Sequence, residues 1–94
     1  MGISDENKKF LDGLLQYYID QADSYNQFAN EYSEFSNSKK EIAFGVIVGT
    51  VYSAFLQTYS NQQLEVRLDD IQEFHEFVRD NIEKITNALD EKKP

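Results

Sequence analysis

Ser38-Lys39-Lys40-Glu41-Ile42-Ala43-Phe44-Gly45-Val46-Ile47-Val48-Gly49-Thr50-Val51-Tyr52-Ser53-Ala54-Phe55-Leu56 is the stretch on which the fold turns. From Ile42 onward it is apolar on nearly every side. Its β-branched residues also suit a hairpin over 42–57, with Gly49-Thr50 as the tight turn between two strands. Three features favour a helix instead. Ser38 and Glu41 stand in the spacing of a capping box, each satisfying an orphan backbone N–H of a first turn. Gly45, Gly49 and Ser53 recur every four residues, which lines them along one helical face. The segments on either side are themselves helical in pattern. A helix over about 39–59 is therefore expected.

Upstream, Leu11, Leu15, Tyr18, Ala22, Tyr25, Ala29 and Tyr32 recur in steps of four and three, the apolar seven-residue repeat of helix-on-helix packing. Phe10, Leu14, Phe28 and Phe35 widen that stripe on one flank. Ser4 suits the N-cap, and Asp5 and Glu6 complement the positive end of the helix dipole. The helix is expected over about 5–36, closed by Ser36-Asn37-Ser38. Downstream, Leu64, Leu68, Ile71, His75, Val78, Ile82, Ile85 and Leu89 form a second such repeat, opposite an acidic ridge of Glu65, Asp69, Glu73, Glu76, Asp80 and Glu83. With Ser60-Asn61 as caps, this helix is expected over about 62–90, with a frayed tail beyond Asp90.

The expected fold is all-α: one domain over 1–94, a three-helix up-down-up bundle with long first and third helices. At ~1.5 Å per residue the three rods measure about 48, 30 and 43 Å. That mismatch implies a stagger, leaving Leu11 and Leu15 uncovered at one end and Ile85 and Leu89 at the other. Apolar surface of that extent calls for a partner, and a homodimer or other homo-oligomer with the middle helices at its centre is expected. Gly45, Gly49 and Ser53, together with Leu11, Leu15, Ile85 and Leu89, are the expected packing or dimer contacts. His75, level with Tyr32, is expected as a polar core position that fixes register.

Composition narrows the function classes. The 17 acidic and 9 basic residues leave a net charge of -8, and the lysines are scattered in pairs, so nucleic acid is not an expected partner. The chain has no cysteine, which removes disulfides, thiol nucleophiles and cysteine-bound zinc, and suits the cytoplasm. Its first residues show neither a secretory pattern nor a serine at position 6 after Gly2 for myristoylation. The apolar run of 42–56 falls short of the ~20 residues that span a bilayer, so no membrane association is expected.

Few residues point to chemistry. His75 is the only histidine, so one chain supplies a single imidazole to any metal. Glu31 with Glu34 and Glu73 with Glu76 each place two carboxylates on one helical face, where a hard cation such as Mg²⁺ or Ca²⁺ would fit. Those two spacings resemble the paired acidic motifs of all-α nucleoside triphosphate pyrophosphatases, which hold magnesium between helices. The resemblance implies a divalent-metal-dependent enzyme, with Arg79 the one nearby phosphate-binding candidate. No phosphate loop, nucleophile elbow or zinc signature accompanies it, and no cofactor is expected. The leading expectation is a small acidic, non-catalytic interaction or oligomerisation module, open to a protein partner besides its own copy; the alternative is the pyrophosphatase-like metal enzyme.

Overall fold

The computed structural model describes residues 2–91. Among them are five α-helices: α1 (Asp5–Asp20), α2 (Ala22–Asn30), α3 (Lys39–Asn61), α4 (Leu68–Asp80) and α5 (Ile82–Glu91). A 3-10 turn, Ser33–Phe35, lies between α2 and α3. No strand occurs among the described residues, so 42–57 is helix rather than hairpin. The all-α reading stands. The tail expected to fray at 92–94 lies outside the described residues.

Half of the expected capping box forms: Ser38 Oγ accepts the Glu41 N–H at 3.1 Å, while the Ser38 N–H donates to Ser36 Oγ at 3.1 Å rather than to Glu41. It buries one line of residues four apart: Ala43, Ile47, Val51, Phe55 and Tyr59. Against this line pack Leu11, Leu15, Ile19, Ala22 and Ala29 from one side, and Phe74, Ile85, Ala88 and Leu89 from the other. The Phe55 and Phe74 rings meet at 5.0 Å, and Tyr52 reaches Phe74 at the same distance. Each large apolar side chain sealed in this core contributes about 1.5–3 kcal/mol by its removal from water.

Three expected features of the outer helices are corrected. The first helix does not run to Ser36. It breaks at Gln21, whose φ of -102° and ψ of 19° leave the helical range, resumes as α2 and ends at Asn30. The third does not start at residue 62. The middle helix continues through Asn61 and stops in a Schellman turn, with Gln63 at a φ of 59°. There Gln63 N–H donates to Ser60 O at 3.0 Å, and Leu64 N–H donates to Tyr59 O at 2.9 Å. An extended connector then leads to Leu68, and a second break at Asn81 divides α4 from α5.

Those changes remove the stagger. From Asp5 to Asn30, Lys39 to Asn61 and Leu68 to Glu91, the three helical runs measure about 39, 35 and 36 Å at 1.5 Å per residue. Their similar lengths agree with a long molecular dimension of 40 Å. Leu11, Leu15, Ile85 and Leu89 are consequently buried within a single chain rather than stranded at its ends.

Candidate functional site

The two acidic pairs, Glu31 with Glu34 and Glu73 with Glu76, are the chain's candidate metal-binding groups. Glu73 is tied to the N-terminal segment: the Ile3 N–H donates to its Oε1 at 2.8 Å, and the Lys8 ammonium sits 3.0 Å from its Oε2. These two contacts, the backbone N–H foremost, hold the Glu73 carboxyl below its ordinary value of 4.5, while Lys8 is raised chiefly by its bond to Glu73. Glu76 lines the same cleft between α1 and α4, with Asp12 and Asp80. Glu31 and Glu34 are exposed in the turn beyond α2. That turn follows the helix whose Asn26 donates to Leu89 O in the last turns of α5, so it lies at the opposite end from Glu73. Within one chain the two pairs point to different ends of the molecule. Among the described residues, no cluster of three or more histidine, aspartate or glutamate side chains is arranged to hold a metal.

His75 and Tyr32 are not core residues. Both are exposed, because the α4 seam is rotated by one position: Phe74, with rings on three sides, takes the centre. His75 lies flat beside Tyr52 with ring centroids 6.3 Å apart, and Tyr32 leans on Phe28 at 5.4 Å.

Two polar residues that the repeat pattern did not signal, Asn7 and Asp70, are buried instead. Asn7 and Gln62 exchange two amide hydrogen bonds at 3.0 and 3.1 Å, joining α1 to the end of α3. Asp70 accepts the Arg67 N–H at 3.1 Å and starts α4. It also meets the hydroxyl of Tyr59, whose pKa is pushed up by burial and then by that carboxylate.

The outer face of α3 is the most distinctive surface. By length and composition α3 is the one described helix apolar enough to cross a membrane, since it continues past the run of 42–56. Yet only 28% of its most apolar window is buried. No charged residue occurs between Glu41 and Glu65. Gly45, Gly49 and Ser53 are exposed along this face. A Cβ added at Gly45 or Gly49 meets no atom within 4 Å, so nothing in the chain itself requires a glycine at either place. Each glycine inside a helix costs about 1 kcal/mol relative to alanine. Gly13 on α1 is equally open, but it stands alone. Beside the α3 face, Leu56 is 37% exposed and Ile82 40% exposed. An apolar hollow of about 280 Å³ opens between Phe44, Ile82 and Thr86, edged by Lys40 and Glu41. The hydroxyls of Thr50 and Thr58 are spent on carbonyls four residues earlier, at 2.7 and 2.9 Å.

The chain matches no known protein family, no curated protein and no solved structure.

Proposed function

We propose that this protein is a small acidic helical interaction module, without catalytic chemistry, that works as a homodimer joined through the outer face of α3. In this reading the five helices act as three rods in an up-down-up bundle: α1 with α2, then α3, then α4 with α5. One observation carries it. The most apolar helix of the molecule buries a single line of side chains and leaves an uncharged, glycine-bearing face outward. A soluble chain of net charge -8 gains nothing from such a face in water, whereas a partner recovers the hydrophobic free energy of covering it. The stranded helix ends inferred from sequence no longer support association, and the face of α3 replaces them. The lack of cysteine suits work in the reducing cytoplasm.

Light scattering over a micromolar concentration series tests this reading. A mass of twice 11.0 kDa is expected at the upper end. Gly49→Glu should give a folded monomer, since glutamate is the better helix former while its charge cannot be buried cheaply against a partner. A wild-type monomer at high micromolar, or an undiminished dimer of Gly49→Glu, overturns the proposal.

A further inference from the structure

We infer that the outward side of the rod formed by α1 and α2 is a docking surface for a basic amphipathic helix of another protein. Four large apolar side chains stand about half open to water along it: Phe10 at 44%, Tyr17 at 56%, Phe28 at 46% and Tyr32 at 45%. Helical spacing and ring contacts join them into one ridge. Phe10 and Tyr17 lie seven residues apart, on the same side of α1. The Tyr17 ring meets Tyr18 edge-on at 5.3 Å, and Tyr18 meets Tyr25 in the same way at 5.6 Å. That second contact carries the ridge past the break at Gln21. Phe28 follows Tyr25 by three residues, and its ring lies 5.4 Å from Tyr32. Tyr18 and Tyr25 pack against the core, which holds the ridge in place.

The charge along this rod selects the partner. From Phe10 to Ser38 the chain carries Asp12, Asp20, Asp23, Glu31 and Glu34, all exposed, and neither lysine nor arginine. Asp20 and Asp23 accept hydrogen bonds from neutral donors, the Gln16 amide and the Ser24 N–H, so their charges stay uncompensated. A second copy docked here would set carboxylates against carboxylates, which distinguishes the ridge from the uncharged face of α3. Phosphate backbones and anionic lipid surfaces are repelled in the same way. A helix whose apolar stripe is flanked by lysine or arginine is attracted instead.

Such a partner gains from both features. Its apolar side chains cover tyrosine and phenylalanine rings, the residue types that anchor protein interfaces. Its cations meet the carboxylates and can lie over the faces of the rings. From Phe10 to Tyr32 the ridge runs ~33 Å, the length of a helix of about six turns. The ridge and the α3 face lie on different rods, so this docking surface stands apart from the homodimer.

The probe is a dye-labelled synthetic helix of about 22 residues, with leucine along one face and lysine on its flanks. A second peptide carries glutamate in place of every lysine. Fluorescence anisotropy should show saturable binding of the lysine peptide to the full chain and none of the glutamate peptide. Tyr17→Ser and Phe28→Ser should each weaken binding about tenfold. Leu68→Ser, a change at a more open site on α4, should leave it unaltered. No binding of the lysine peptide overturns the inference. So does binding that survives Tyr17→Ser and Phe28→Ser but falls when Glu76→Gln and Glu83→Gln neutralise the α4 ridge, since charge alone then explains it. Sedimentation of the wild type with anionic lipid vesicles, abolished by Phe28→Ser, would assign the ridge to a membrane instead. Light scattering separates this surface from the homodimer. A wild type that binds the lysine peptide as a monomer removes the homodimer and supports the ridge. A dimer abolished by Phe28→Ser but not by Gly49→Glu makes the ridge the self-association surface and overturns the inference.

Discussion

Glu73 holds the start of the chain to α4, and its charge makes that bond sensitive to acid. Its carboxyl sits below 4.5 because the Ile3 N–H and then Lys8 favour the ionised form. The depressed folded value means that its stabilising effect is complete above pH 4.5 and is lost as pH falls through the folded value. Glu73→Gln keeps an acceptor for Ile3 but no charge, so it should be less stable than wild type at pH 7. The difference should shrink as pH drops below 4.5, in urea denaturation at stepped pH; a gap independent of pH would refute this. Gly2 belongs to the same joint. Its φ of 93° and the position of the Glu73 carboxylate, which an added Cβ would strike, leave room only for glycine. None of this was legible in the sequence, because contacts between residues 3 and 73 follow no periodicity. Asn7 with Gln62 and Asp70 with Tyr59 escaped for the same reason.

At the level of elements, periodicity predicted helices well and their ends poorly. Ser4 and Ser38 cap as expected, each side-chain oxygen accepting the N–H three residues on. The breaks lack the usual punctuation. Neither Gln21 nor Asn81 is a proline or glycine. At Asn81 the side chain makes the break tolerable by donating to Phe77 O at 2.8 Å, a carbonyl that the interrupted helix leaves without its own partner. The end of α3 hides in the same way, because glutamine rather than glycine occupies the left-handed position of the Schellman turn. That conformation costs a residue with a Cβ about 1–2 kcal/mol. Gln63→Gly should therefore raise stability by about 1 kcal/mol after the added flexibility of the unfolded chain is counted. For a domain this size that is a rise in melting temperature of roughly 4–8 °C, and a fall on calorimetry would refute the strain. The one-position rotation that exposed His75 has a packing cause: aromatic volume at Phe74 outweighed the aliphatic repeat.

At the scale of the whole molecule, two opposed forces act at different ranges. The -8 charge repels an approaching copy through solvent over about a Debye length, while the α3 face attracts only on contact. Salt shortens the repulsion and leaves the apolar contact in place. Dissociation constants should therefore fall several-fold between 0.05 and 0.5 M NaCl (roughly threefold in screening length), as read by analytical ultracentrifugation; weakening with salt would show that ion pairs dominate instead. The uncharged stretch of α3 is confined to one face among acidic neighbours, and that confinement limits growth. In the proposed dimer the two α3 faces cover each other, and the pair carries twice the single-chain charge. A third copy then meets that doubled repulsion and, in place of the α3 face, only the acid-flanked aromatic ridge and separate exposed residues such as Phe35 and Leu68, so the proposed assembly favours a closed pair over a growing chain.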